Sequence, residues 1–228
     1  MNPLEYLHLQ LRLEGKEVIN GNLLRQVEDV PDEDMPLMAI ASLTSDKLVF
    51  YYDEALLPEI RAELDKKTQI VQFSNIDSII EILETQTMQV EVGHYKTYKF
   101  PERYKDLNIA NVIPYSGTDP KIQAFNFGNF TAQVHAIEQA GKIVSACVSA
   151  KENDLCGEAW VYTDPEHRHQ GLARKVVSAW AASLFTEGKV PFYSHKIQNI
   201  ASANLAMQLG LHPIFEEITL TRSAGNSD

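Results

Sequence analysis

The chain has 228 residues, 44% of them hydrophobic, and a formal net charge of −11. That length holds one large or two small domains with enough apolar content for a packed core. The acidic balance, with no compensating basic block, excludes nucleic acid as a partner and favours a cationic one. No apolar run reaches the ~20 residues of a membrane helix, which leaves no membrane partner. Glu5, Arg12, Glu14 and Lys16 charge the N-terminal segment, so it does not read as a signal peptide. Cys147 and Cys156 fall in neighbouring expected strands and read as reduced and buried, consistent with a cytoplasmic protein. The sequence sets no oligomeric state.

In chain order, Leu4–Leu13 and Asn20–Val27 have helical spacing, and Leu37–Leu43 and Lys47–Tyr52 read as strands joined by a turn at Thr44–Asp46. The acidic run from Glu28 to Asp34, broken by Pro31, reads as a solvated loop. It lacks the spacing and glycine of a calcium loop. Glu54–Lys66 predicts an exposed helix, Ile70–Phe73 a strand, Asp77–Thr85 a helix and Met88–Lys99 one long strand or a strand pair. Pro101 closes this part, and Glu102–Lys105 is the expected linker. Residues 1–105 then form a small α+β N-terminal domain, with 11 Lys and Arg against 19 Asp and Glu.

Residues 106–228 form the second expected domain. Thr118-Asp119-Pro120 introduces a helix over Lys121–Phe127. Thr131–Glu138 and Ile143–Ser149 form a hairpin about Gln139–Lys142, where glycine suits the third turn position. Leu155–Thr163 is the next strand. From Leu172 to Glu187 the apolar residues Leu172, Val176, Trp180 and Leu184 recur at i, i+4, i+8 and i+12, so the segment is an amphipathic helix, stopped by Gly188. Phe192–His195 and Ile214–Thr221 are the last strands, and the tail from Ser223 is polar.

Between strand and helix stands Arg168-His169-Gln170-Gly171-Leu172-Ala173. A glycine opening a helix leaves several backbone N–H groups at the positive end of the helix dipole, a site suited to a phosphate or pyrophosphate. Arg168, Arg174 and Lys175 add charge of the right sign. Neither G-x-G-x-x-G nor G-x-x-x-x-G-K-[ST] is present. His167 and His169 form an H-x-H with no further ligands nearby, so no metal is expected.

This segment resembles the R/Q-x-x-G-x-G/A signature of the GNAT superfamily of acyl-CoA-dependent N-acetyltransferases, matched at Arg168, Gly171 and Ala173. The stretch from Asn199 through Ser202, Leu205 and Leu209 to Gly210-Leu211 is similar to the second motif of that superfamily. The resemblance covers roughly the C-terminal half. It implies an α/β fold with an α+β mixed sheet, a GNAT-like domain binding acetyl-CoA as co-substrate without a metal. It further implies acetyl transfer to an amine, carried by a small molecule or a peptide. N–H groups from His169 and Gln170 through Gly171, Leu172 and Ala173 would hold the pyrophosphate, helped by Arg168 and Arg174. Val161, Tyr162 and Thr163 would pair with the pantetheine arm as an added strand does. Asn199 would both cap its helix and contact the cofactor, with Ser202 beside it.

Glu158 stands ten residues before Arg168, where several members of the superfamily carry a general base. The same residue fits the solvated face of an antiparallel sheet. At Ala206 many relatives have a tyrosine that protonates the departing thiolate. Alanine cannot do so, which leaves His195 or Tyr193 as the candidate, or a thiolate that departs unaided. A non-catalytic acyl-CoA-binding or sensor protein is the alternative reading.

Overall fold

The computed structural model describes residues 1–27, 36–43, 47–85, 89–125, 130 and 132–223. The acidic run, the turn at Thr44–Asp46, the end of the expected helix at Phe127, Thr131 and the tail beyond Ser223 lie outside the described residues. The chain divides into two compact units. Met1–Thr97 and Ile214–Asp228 make one, and Tyr98–Pro213 makes the other.

In the first unit, α1 (Pro3–Leu13) starts at a capping box in which Asn2 accepts from the Glu5 N–H and Glu5 accepts from the Asn2 N–H. The strands are β1 (Lys16–Ile19), β2 (Leu23–Gln26), β3 (Pro36–Leu43), β4 (Lys47–Asp53), β5 (Val90–Lys99) and the final strand, β11 (Pro213–Arg222). They are ordered β1-β2-β4-β3-β11-β5, with β2 and β4 parallel and the pairs β1–β2, β3–β4 and β3–β11 antiparallel. Two helices, α2 (Pro58–Thr68) and α3 (Asp77–Glu84), supply Leu64, Ile79 and Leu83 to a core with Met38, Ile40, Tyr52 and Leu220.

Three expectations change here. Asn20–Val27 is not a helix: Asn20 and Gly21 adopt positive φ (48° and 87°) and turn β1 back onto β2 in antiparallel register. Ile70–Phe73 forms no strand, only an isolated bridge from Gln72 to Asn75. The helix expected at Glu54 starts at Pro58, whose fixed φ suits the first helical position.

The second unit contains β6 (Ile113–Ser116), α4 (Pro120–Ala124), β7 (Gln133–Gln139), β8 (Lys142–Glu152), β9 (Cys156–Thr163), α5 (Leu172–Thr186), β10 (Val190–Lys196) and α6 (Ile200–Gln208). Its strands run in the order β10-β9-β8-β7-β6. Strands β6 to β9 form an antiparallel meander, and β10 joins β9 in parallel after the crossover through α5. The turn between β7 and β8 has positive φ at Ala140 and Gly141, which matches the twist of the hairpin.

Helix α5 buries Leu172, Val176, Val177, Trp180, Ala181 and Leu184 against Ile137, Val144 and Ala159 of the sheet. Full burial of each large aliphatic side chain stabilises by about 1.5–3 kcal/mol, so this face fixes the helix on the sheet. Gly157 lets the helix approach closely: a Cβ there would lie 2.9 Å from Leu184 Cδ1. Gly188 ends α5 at φ 77°.

The expected linker, Glu102–Lys105, is a packed part of this unit. Glu102–Tyr104 forms a 3₁₀ turn, the Tyr104 ring is buried, and its hydroxyl donates to the Leu209 carbonyl at 2.5 Å. The units therefore divide at Tyr98, not after residue 105, and the chain re-enters the first unit at Ile214.

Candidate active site

The loop between β9 and α5 is built to leave N–H groups exposed. Asp164 caps the 3₁₀ turn Pro165–His167 by accepting from the Glu166 N–H at 2.9 Å. Arg168 Nε donates to the Thr163 carbonyl at 3.2 Å, so its side chain ties the loop to the end of β9. His169 then takes φ 61° and Gly171 φ 71°, ψ 13°, both left-handed. Among the described residues, no hydrogen bond is accepted from the backbone N–H groups of His169, Gln170, Gly171, Leu172, Ala173 or Arg174. An αL turn running into a helix start makes a concave row of donors at the positive end of the 15-residue α5. Such a row fits a pyrophosphate.

Beside the loop the sheet forks. Strands β9 and β10 are in register at Val190–Cys156, Pro191–Gly157 and Phe192–Glu158, and the pairing ends there, although β9 continues to Thr163 and β10 to Lys196. On its other edge β9 stays paired with β8 as far as Thr163. Among the described residues, Val161–Thr163 of β9 have no register partner on the β10 side, as a slot for an amide-rich chain requires.

The row of donors and the fork open into one cleft of about 370 Å³. Its walls include Val161, Tyr162, Thr163, Arg168, His169, Gly171, Leu172, Ala173 and Arg174 from β9, the loop and α5, with Asn199 and Ser202 from the start of α6. Asn199 is the N-cap, and its side-chain oxygen accepts from the Ser202 N–H at 3.1 Å. Tyr193 of β10 and Leu205 of α6 complete the floor. Among the described residues, no cluster of three or more His, Cys, Asp and Glu side chains is placed to hold a metal ion.

Three expected residues stand outside these walls. Gln170 contributes only its backbone N–H. Glu158 sits at the fork, with Trp160 and Tyr162 on the face of β9 away from α5. Trp160 packs on Phe130 and Tyr162 on Phe125, with ring centroids 5.1 and 5.6 Å apart, whereas Ala159 and Val161 pack toward α5. His195 is buried beneath the cleft. Its Nε2 lies 3.2 Å from the Tyr98 hydroxyl and its Nδ1 2.9 Å from the Lys196 carbonyl oxygen. Because a carbonyl only accepts, Nδ1 carries the proton and Nε2 accepts from Tyr98.

A second cleft of about 730 Å³, announced by no motif, adjoins the first turn of α5. It shares Gly171, Arg174 and Gln208 with the first and adds Arg103, Lys175 and the segment 107–111. Only its basic residues could have been noticed, and Arg103 is already committed to the Gly210 carbonyl at 3.0 Å.

Residues 134–218 match the GNAT acetyltransferase family. The chain is similar to this family over that stretch of its C-terminal half. No curated protein matches the chain. Among solved structures, a GNAT-family protein of Novosphingobium aromaticivorans is 19% identical with a TM-score of 0.48, over 58% of this chain and 65% of that one. A GNAT-family acetyltransferase of Colwellia psychrerythraea is 12% identical with a TM-score of 0.48, over 91% of this chain and 84% of the other. This chain thus spans just under two thirds of the length of the first. The likeness to GNAT proteins rests on the family match over residues 134–218 and not on these distant structures.

Proposed function

We propose that the protein is an N-acyltransferase that moves an acetyl group from acetyl-CoA to an amine of a small molecule or peptide. The observation that carries this reading is the unbonded row of N–H groups from His169 to Arg174 opening into the same cleft as the β9–β10 fork. The row would take the pyrophosphate, with Arg174 adding positive charge. The unpaired edge of β9 at Val161–Thr163 would take the pantetheine amides, and Asn199 and Ser202 would close the slot from α6. Glu158, at the fork, would receive the amine proton directly or through a water, and N–H groups of β9 would stabilise the developing oxyanion. His195 would support the floor from below through Tyr98.

A second reading, a non-catalytic acyl-CoA sensor, is favoured by Ala206. That residue is buried in the core and offers no proton to a departing thiolate. One experiment separates the two: acetyl-CoA is incubated with a panel of amines and free thiol is followed, alongside a melting curve with acetyl-CoA alone. A melting shift with thiol release supports the transferase. A shift without release from any amine supports the sensor, and no shift at millimolar acetyl-CoA removes both.

A further inference from the structure

On the face of β9 turned away from α5, Glu158, Trp160 and Tyr162 follow one another at every second residue, about 7 Å apart along the strand. Val148 and Ala146 stand opposite the two aromatic residues on β8 and belong to the apolar cluster against which Phe125 and Phe130 pack. Each exposed ring is backed by one of these phenylalanines. Trp160 meets Phe130 at 5.1 Å with 43° between the ring planes, and Tyr162 meets Phe125 at 5.6 Å and 55°. Even so, Trp160 is 40% and Tyr162 38% exposed. A single exposed apolar residue is ordinary on any surface. Two consecutive aromatic positions, each propped by another ring and leading away from the carboxylate at the fork, make an oriented wall instead. The Trp160 indole is not among the walls of the donor cleft, so the acyl donor leaves it unused.

We propose that this wall selects the acceptor: a primary amine joined by a short chain to a planar aromatic body, its nitrogen at Glu158 and its ring stacked on the Trp160 indole. The proposal rests on the transferase reading and names its acceptor class. The Glu158 carboxylate attracts the ammonium form in which such an amine arrives. The strand spacing sets the first ring about 7 Å further on, the reach of a linker of roughly two or three carbons ending in a phenyl ring. Tyr162, one step beyond, meets the far edge of that ring. A linear polyamine would also find the faces of these rings. Its second charge, however, would lie near Lys151, which stands directly opposite Glu158 on β8 and is exposed. Like charges there disfavour the polyamine and leave the neutral aromatic body as the better fit.

The test compares amines on the full-length protein with acetyl-CoA, following release of free thiol. Phenylpropylamine and propylamine carry nitrogens of closely similar basicity and differ in the ring. The aryl amine should be used with a kcat/KM about 10-fold to 100-fold higher, from burial of its ring and its stacking on the indole. The gain should appear mainly as a lower KM, because the ring is held alike in the ground and transition states. Trp160→Ala should cut the aryl preference by about tenfold, and Trp160→Phe, which keeps a ring, should retain most of it. Should the alanine variant fold poorly, Trp160→Leu reads the same loss with an apolar side chain that cannot stack. Equal kcat/KM for the two amines, a higher value for spermidine than for phenylpropylamine, or an aryl preference untouched in the alanine and leucine variants would overturn the proposal while the transferase reading stands. Absence of thiol release from every amine, aryl and alkyl alike, would instead remove the transferase reading, and the proposal with it.

Discussion

Glu158 and Phe192 are the last pair in register between β9 and β10, so the carboxylate stands at the point where the two strands part. It lies on the face of β9 away from α5, whereas Val161 and the loop donors belong to the α5 side. An amine and a thioester meeting at Glu158 would therefore approach through the fork from opposite faces of the sheet. On the proposed reading, a base there would reach the acceptor without competing for space with a chain laid along Val161–Thr163.

Glu158→Gln keeps the shape and most hydrogen bonds of the side chain but cannot take a proton. General-base catalysis contributes typically ~10²–10⁴-fold, so turnover near neutral pH should fall by about that factor with acetyl-CoA affinity nearly unchanged. The deficit should narrow as pH rises, because the amine then deprotonates in solution. Steady-state rates across pH decide the matter: full activity at neutral pH would reduce Glu158 to a sheet residue.

Gly171 has φ 71°, and nothing lies within 4 Å of the position a Cβ would take. Gly171→Val should therefore fold, at a cost from the left-handed backbone and the β-branch. Its side chain would stand where the anion is expected. Acetyl-CoA at ~100 times its dissociation constant should stabilise wild type by ~2.7 kcal/mol, and the variant should lose that shift in a melting curve. An equal shift in both proteins would place the phosphates elsewhere.

Asn199 can be split between its two roles. Asn199→Ala removes the acceptor of the Ser202 N–H and should cost about 1 kcal/mol of stability. Asn199→Asp keeps a cap and complements the helix dipole, so stability should hold. Its added negative charge faces the same cleft, and acetyl-CoA affinity should drop, by an amount that shrinks as salt screens the repulsion. Calorimetric titration of the aspartate variant checks this. Unchanged affinity would confine Asn199 to capping.

Much of this site was legible because its signals are local. The 3.6-residue spacing from Leu172 to Leu184 fixes which face of α5 is buried, and Gly171 at its start marks the left-handed turn. The fork was not legible, since no residue type encodes where two parallel strands stop pairing. In the first unit, Leu23, Leu24 and Val27 mimic helical spacing and outweighed the Asn20-Gly21 turn signal. Strand β6 was missed because it is short, carries Pro114 and sits at a sheet edge, a place where proline is tolerated in a ladder. The linker expectation failed at Tyr104, whose burial depends on a carbonyl more than a hundred residues away.

The acid stability of the fold should depend on His135. It is buried on β7, its Nδ1 makes no hydrogen bond, and desolvation pushes its pKa down to about 4 against a partial lift from Glu187. The unfolded chain takes up this proton near pH 6.5, while the folded protein resists it until about pH 4. Between those values the unfolded state binds more protons, so stability is complete above pH 6.5 and is lost as pH falls toward 4. A gap of this size is on the order of 3 kcal/mol at its full extent. His135→Leu removes the titration and keeps an apolar side chain of similar reach. Unfolding free energy from urea titrations should then fall less steeply in the variant than in wild type between about pH 7 and about pH 5. Parallel curves would move the acid sensitivity to another group.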